Sequence, residues 1–536
     1  MNAVQPVLTP QEKVPVEIWL EILALVPETA DLHSLSLTSR RFYDLTVRAL
    51  HRNIVWTNPA HAARSLPVWD TYPGMDLAVR SLELGISSAL PGMSDTLIGL
   101  DGQPEVPPVP RPHLLEDGII LERTIRLHGL GSQPTITFAS PALHDAMFAR
   151  IGTFKNIAAL AFTNMIITNT HFALVHSLPQ LRSLRLDVCL FREGRGGPPP
   201  TFNHADLPLT ELTIVNLRRQ ISAVVHSHVH FDEHSANLTA VLSLCTARSL
   251  RTLTVDASAD VFKLIYNAWN ADARGWAIPA DLAHVFVVRR RAARGEPVYL
   301  GEETFPHTDL YHFAVRALSL RTLSTPIFVP PNTAIAAEAL PLGLERFAAP
   351  AETAEVVAAA RDVKALGVLK CALTVNGKDV IQALESVSVA RPGLKMLMLE
   401  LPRGWDEEVL SAVVKLFKDL RRLKIVYEGT EGPSEDFLVT LGPEFLSRMP
   451  NLHTLQIYAQ QELLDTKANH PKYLYDSSFE SIEEELVNLV IPYNRYCPTL
   501  RKVQFLTGYV AARTCGEAGW VVERLRRLEV KDDLSF

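Results

Sequence analysis

One spacing dominates the chain from about Leu178 onward: an apolar residue, any two residues, a second apolar residue, any one residue, a third. It is clear at Leu181, Leu184 and Leu186; at Leu209, Leu212 and Ile214; and at Leu250, Leu253 and Val255. It returns at Leu394, Leu397 and Leu399; at Leu420, Leu423 and Ile425; at Leu452, Leu455 and Ile457; and at Leu500, Val503 and Phe505. Weaker copies are Ala158, Leu160 and Phe162; Leu320 and Leu323; Leu344 and Phe347; and Val363, Leu366 and Val368. Several copies open on a proline, as in Leu178-Pro179-Gln180-Leu181, Met449-Pro450-Asn451-Leu452 and Cys497-Pro498-Thr499-Leu500. The last two apolar residues of a copy share one face of a short strand, because successive side chains alternate. The first tucks in as the chain enters that strand. No copy can bury its row alone, so neighbours must stack.

This pattern resembles an irregular leucine-rich repeat, which implies a solenoid of short parallel strands and helices. Helical stretches are expected before two of the prolines, over 443–449 and 481–496. The steps between copies run from the low twenties to well over forty residues, beyond the 20–29 of a regular array. The asparagine that turns a regular repeat is mostly missing, although Asn216 and Cys189 stand near its place. Further strands are expected at 79–84, at 124–127 and around Leu525, Leu528 and Val530. In the gap between Val255 and Leu320, helices are expected over 262–270 and 282–294. Segments near 90–112, 192–205 and 256–310 are rich in loop residues and read as insertions, which repeat proteins often place on the binding face.

The stretch from Val14 to Trp56 obeys a different period. Pro15 suits a helix start, and Ile18, Ile22 and Leu25, with Leu23 and Val26, recur at helical spacing. Pro27 closes that helix, and Asp31 can cap a second carrying Leu32 and Leu35. A third runs from about Thr38, with Phe42, Leu45, Ala49 and Leu50 opposite Arg40, Arg41 and Arg48. Three helices this short cannot bury Ile18, Ile22, Leu23, Leu32, Leu35, Leu37 and Phe42 among themselves, since small units bury too little surface. They must pack on the next domain or on a partner.

The residues Val14-Pro-x-Glu-Ile18, then Asp31-Leu32, then Leu35-Ser-Leu-Thr-Ser-Arg-Arg-Phe42 resemble an F-box. Val14 stands where the family usually has leucine, and Thr38-Ser39 where it has valine before serine or cysteine. The resemblance implies that the helices insert into a Skp-type adaptor bound to a cullin and a RING ligase. Carried over residue by residue, adaptor contact is expected from Val14, Pro15, Glu17, Ile18, Ile22, Leu32, Leu35, Ser39, Arg41 and Phe42. Large families of similar F-box proteins occur in mushroom-forming fungi, and this chain resembles those.

At 536 residues the chain is too long for one ordinary domain, and 47% hydrophobic with 21% charged residues is a globular composition. A formal net charge of −7 gives no global pull toward nucleic acid. Cys189, Cys245, Cys371, Cys497 and Cys515 form no metal or disulfide framework, which suits a reducing compartment. No apolar run is long enough for a membrane span, and residues 1–13 lack the apolar core of a signal peptide. A cytoplasmic or nuclear location is expected.

Signals for chemistry are sparse. There is no phosphate-cradling glycine loop ending in Gly-Lys-Ser/Thr and no Gly-x-Ser-x-Gly elbow. Gly194 to Pro200 holds glycines, but its three prolines deny the helix a phosphate site needs. His226, His228 and His230 would share one face of a strand and three imidazoles can bind zinc, yet no fourth ligand is specified, so solvated histidines are favoured. Arg289, Arg290, Arg291 and Arg294 suit a solvated helix end, with substrate contact or nuclear import as the alternative. Cys515 has no histidine nearby in sequence.

The expected organisation is therefore α/β: a free N-terminus over 1–13, a three-helix F-box over 14–57, and an irregular leucine-rich-repeat-like solenoid over 58–536 that receives an unidentified protein substrate. No catalysis, no cofactor, and no nucleic-acid or membrane partner is expected. Two alternatives are a repeat scaffold whose F-box-like helices only cap the array, and a metal-dependent enzyme built on the histidine cluster.

Overall fold

The computed structural model describes residues 14–24, 26, 29–71, 75–89, 97–98, 104–105, 136–191, 202–219, 241–256, 261–262, 266, 277–289, 307–327, 329, 337–370, 377–401, 404–428, 432–459, 479–506, 508–513 and 519–524. The His226–His234 cluster, the strands expected at 124–127 and 525–530, the glycine and proline loop at 194–200, Leu25, Pro27, Arg290, Arg291, Arg294, Cys371 and Cys515 lie outside the described residues. The chain divides into two units: Met1–His128 with Gln133–Thr213 and Leu217–Ala247, and a second holding Gly129–Ser132, Ile214–Asn216 and Arg248–Phe536.

The first unit begins with α1 (Val16–Ala24), α2 (Thr29–Ser36) and α3 (Arg40–Leu50). Ser39 starts α3, its hydroxyl accepting from the Phe42 N–H at 3.2 Å, which satisfies one of the orphan donors of a helix start. Asp31 lies inside the first turn of α2 rather than before it. After α3 come β1 (Asn53–Trp56), α4 (Pro59–Thr71), β2 (Ser81–Leu84), α5 (Pro141–Ile151), β3 (Ala159–Thr163), α6 (Asn169–Ser177) and β4 (Ser183–Asp187). β5 (Glu211–Val215) follows them, with Glu211–Thr213 in this unit and its last two residues in the second. β1 pairs β2, β2 pairs β3 and β3 pairs β4, all parallel.

The second unit repeats this plan. β6 (Thr252–Asp256), β7 (His284–Val288), β8 (Thr322–Ser324), β9 (Arg346–Pro350), β10 (Ala365–Leu369), β11 (Met396–Leu401), β12 (Arg422–Tyr427), β13 (Thr454–Ala459) and β14 (Lys502–Leu506) lie side by side in chain order. Every neighbouring pair is parallel. Two antiparallel strands, β15 (Tyr509–Ala512) and β16 (Val521–Arg524), close this edge. Helices connect the strands, among them α7 (His307–Arg316), α8 (Ala351–Ala360), α9 (Gly377–Ala390), α10 (Glu407–Leu416), α11 (Ile482–Val490) and the short α12 (Tyr493–Tyr496).

The apolar triplets are the core. Leu181, Leu184 and Leu186, Leu394, Leu397 and Leu399, and Leu420, Leu423 and Ile425 are all buried, as are the other copies except at Ala158, which is half-buried while the preceding Ile157 is buried. The first residue of a copy closes a tight turn: the Leu452 N–H donates to Met449 O at 3.1 Å and the Leu500 N–H to Cys497 O at 3.0 Å. At each strand start one carbonyl accepts two N–H groups of the next strand. Arg421 O takes His453 N at 2.8 Å and Thr454 N at 3.1 Å, and His453 O takes Arg501 N and Lys502 N. Stacking thus needs only the backbone and the buried row, which leaves the residue before each strand free to vary.

Two expectations change. The helix expected over 282–294 is instead β7, because Leu282, Val285 and Val287 follow the triplet spacing in register with β6. A short apolar run with β-branched residues cannot be told from a helix by periodicity alone. Asn53–Trp56, read as the tail of the helical stretch, is the strand β1. Its Trp56 is fully buried and its indole N–H donates to Ser65 Oγ at 3.1 Å. After β3, β4 and β5 the chain turns through Asn164, Val188 and Asn216, each left-handed with φ of 51°, 54° and 54°. Beyond the second turn the buried Cys189 donates Sγ–H to Phe162 O at 3.2 Å, tying β4 to β3.

Candidate functional site

The three N-terminal helices have a core of their own. Leu23, Leu32 and Leu45 are buried together, with Trp19, Leu20, Val26, Leu35, Ala49 and Leu50 packed around them. Trp19 meets Phe42 edge-on, ring centroids 5.0 Å apart. Arg41 Nη2 donates to Val14 O at 2.9 Å, pinning the chain ahead of α1 to α3.

With that core filled, part of the apolar surface remains outside. Ile18 is 47% exposed and Ile22 43%, and one helical turn separates them, so they form one outward stripe along α1. Glu17 and Glu21, also exposed, flank the stripe. Leu37, in the turn between α2 and α3, is 76% exposed. Val16 and Tyr43 are exposed as well.

The predicted contact residues therefore separate into two groups. Pro15, Glu17, Ile18 and Ile22 face solvent. Leu32 lies in the helical core, Leu35 packs half-buried on it, Ser39 caps α3, and Val14, Arg41 and Phe42 hold α1 against α3. Of this second group only Leu32 is buried; Val14, Leu35, Ser39, Arg41 and Phe42 keep part of their surface exposed. Sequence reasoning left Val16, Leu37 and Tyr43 out of the contact set. For Leu37 a signal was present: it is among the apolar residues that three helices this short cannot bury among themselves.

On the strands of the second unit, the face opposite the triplets carries register-aligned side chains. Arg346, Met396, Arg422, Thr454 and Lys502 head successive or near strands, followed by Met398, Lys424, Gln456 and Gln504. Gln456 Nε2 donates to Gln504 Oε1 at 2.7 Å. Arg289, expected on a solvated helix end, is instead buried just past β7. Its Nη2 lies 2.6 Å from Glu400 Oε2, with side-chain exposures of 8% and 4%. The same Glu400 oxygen accepts from the Lys370 N–H at 2.9 Å, and Lys370 Nζ pairs with Glu428. The ion pair forms there because the strand places Arg289 at the end of a parallel row, beside carboxylates at the ends of later strands.

Groups suited to chemistry are few among the described residues. No set of three or more His, Cys, Asp or Glu side chains could hold a metal there. Cys189, Cys245 and Cys497 are free and buried. Burial pushes the Cys189 thiol up to about 12 and raises that of Cys245 further, so neither is a thiolate near neutrality. No helix among the described residues is long and apolar enough to cross a membrane.

Comparison with known proteins bears on the same segment. Residues 12–56 match the family model described as F-box-like. That span holds α1 to α3 and ends at Trp56, the last residue of β1. No curated protein matches the chain. Among solved structures it is similar to the Rad7 and Elc1 complex of yeast, with 13% identity, 86% of this chain and 92% of that chain covered, and a TM-score of 0.37. It is also similar to the plant peptide hormone receptor RGFR1 in complex with RGF2, with 10% identity, 58% and 56% covered, and a TM-score of 0.16. A third similarity is to the leucine-rich-repeat ectodomain of the receptor kinase GASSHO1/SCHENGEN3 from Arabidopsis thaliana, with 10% identity, 76% and 56% covered, and a TM-score of 0.14.

Proposed function

We propose that this chain is the substrate-receptor subunit of a ubiquitin ligase of the Skp–cullin–F-box type. Its F-box-like helices bind a Skp-type adaptor, and its repeat strands bind a protein substrate. The chain performs no catalysis in this role. It raises the effective concentration of substrate near the ligase's conjugating machinery.

The observation that supports this reading is the outward apolar stripe of Ile18 and Ile22 on helices that already possess a filled core. Stability of the helices does not call for those side chains to be apolar, whereas a docking partner does. Apolar side chains at the centre of an interface usually carry most of its energy. If the helices served only to cap the array, the stripe would have nothing to cover it.

The test is co-purification of the full chain with a purified Skp-type adaptor, comparing wild type with Ile18→Asp/Ile22→Asp. Removing residues 1–57 would be a poorer test, since it deletes β1 from the sheet. Two buried carboxylates at a contact of this kind should weaken binding by at least about 30-fold, equal to about 2 kcal/mol. The variant should keep its far-ultraviolet circular dichroism and melting temperature, because both positions face solvent. Undiminished co-purification of a folded variant would refute the proposal and leave the capping role.

A further inference from the structure

The strongest unassigned feature is a concentration of positive charge where β12, β13 and β14 begin. The segments 415–422, 446–454 and 493–502 lead into these strands. They contain Lys415, Lys418, Arg421, Arg422, Arg448, Arg495, Arg501 and Lys502, against the single acidic residue Asp419, in a chain of net charge −7. Asp419 is engaged with Lys395 at 3.7 Å. The eight cations are exposed. The parallel register places Arg421, His453 and Arg501 at equivalent positions on three adjacent strands, and Arg422, Thr454 and Lys502 one step further on. Neighbouring strands lie about 4.8 Å apart, so Arg421 and Arg501 start about 10 Å apart on one line.

Elsewhere the same position serves the fold. Arg80 donates to Asn156 O at 3.4 Å and Arg182 to Pro208 O at 3.1 Å, each bracing the following turn. Lys364 is spent on Glu345 at 2.7 Å. Arg421, Arg422, Arg448, Arg501 and Lys502 show no side-chain hydrogen bond or ion pair among the described residues. Like charges so close repel one another, and an anionic partner would relieve that repulsion.

We propose that this edge docks an acidic polypeptide segment, rich in Asp and Glu and extended across the starts of β12 to β14. An extended peptide presents side chains on one face about every 6.8 Å, and the long Glu, Arg and Lys side chains take up the difference from the separation of about 10 Å between Arg421 and Arg501. Single-stranded nucleic acid is disfavoured because its sites interleave exposed aromatic rings with the charge. Here Phe417 and Tyr493 are buried and Tyr496 is half-buried. The inference names a substrate class for the repeat domain but stands apart from the adaptor reading, since it is tested with no adaptor present.

The experiment is fluorescence anisotropy of the full chain with a labelled deca-glutamate peptide, a deca-lysine peptide and a single-stranded 20-nucleotide RNA, in 50 and 300 mM salt. Deca-glutamate should bind, deca-lysine should not, and the higher salt should weaken binding, as screening demands. Arg421→Ala/Arg501→Ala should lower deca-glutamate affinity at least tenfold. Arg421→Glu/Arg501→Glu should abolish it, with circular dichroism unchanged in both. The proposal is overturned if deca-glutamate fails to bind, if deca-lysine binds as well, if the alanine pair binds like wild type, or if the RNA binds more tightly than the peptide.

Discussion

Folding of the first unit should be pH-dependent, most strongly through one histidine. His171 lies in the first turn of α6, where its Nδ1 accepts from the Thr168 N–H at 3.1 Å. Its ring meets Phe148 and Phe162 edge-on at 5.0 and 5.4 Å, and His144 on α5 lies 6.0 Å away. Burial, reinforced by the neighbouring His144, pushes the His171 pKa down to about 3. His144 is lowered too, again chiefly by burial, against the opposing pull of Asp145. The folded state therefore holds His171 neutral, while the unfolded chain takes up a proton near pH 6.5. The stability from the neutral ring is complete above pH 6.5 and is lost as pH falls from there toward 3. At pH 5 the loss from this residue alone comes to about 2 kcal/mol, an increase of about 30-fold in the opening constant. His171→Gln keeps an acceptor for the Thr168 N–H and removes the titration. Hydrogen exchange over residues 141–177, compared between wild type and variant at pH 7.5 and at pH 5.0, isolates the effect from the intrinsic pH dependence of exchange. Wild type should lose about 30-fold more protection than the variant between the two pH values. Parallel losses would refute the argument.

Two further outcomes follow from named contacts. Val188 holds a left-handed φ of 54°, a costly conformation for a β-branched residue, while the equivalent turns use Asn164 and Asn216. Val188→Asn should therefore raise stability by about 1 kcal/mol in urea denaturation, and a loss would show that its half-buried side chain outweighs the backbone strain. Glu400→Gln should destabilise by about 3 kcal/mol, because it removes the buried carboxylate that pairs with the buried Arg289. Adding Arg289→Met should recover most of that loss in the same assay, and a double variant no better than the single would deny that the two charges are coupled.

Much of the repeat domain was legible because its signal lies in buried residues that cannot vary freely. Leu394, Leu397 and Leu399 announce β11 by spacing alone, and a helix before Met449-Pro450 or Cys497-Pro498 follows from where proline is tolerated. β7 escaped because Arg289 and the arginines after it read as a helix end, although Leu282, Val285 and Val287 keep the triplet. β1 escaped because Ile54 and Trp56 give only two alternations, too few to outweigh the helical stretch they follow. For the N-terminal helices the sequence gives apolar residues on more than one flank, and only packing decides which flank turns inward. Leu32 and Ile18 look equivalent on paper. Leu23 and Leu45 meet Leu32 in the core, and Ile18 is left outside.

β1 carries a consequence for how the two proposed roles are joined. Its four residues pair in full with β2, from Asn53 on Ser81 to Trp56 on Leu84, and only His51 and Arg52 separate it from α3. Arg52 O also accepts from Arg80 N and Ser81 N, the same paired contact that starts later strands. His51 packs edge-on against Trp69, whose ring meets Phe154 at 4.9 Å. The three N-terminal helices thus run into the first sheet through a paired strand and an aromatic contact, rather than through a Gly/Ser-rich linker of the kind that behaves as a flexible coil. A flexible tether would let a substrate sample many distances from the adaptor, whereas a shared strand fixes where the first repeats stand relative to α1. Under the proposed function, a substrate held on the strands of the first unit would stand at a fixed distance from the adaptor.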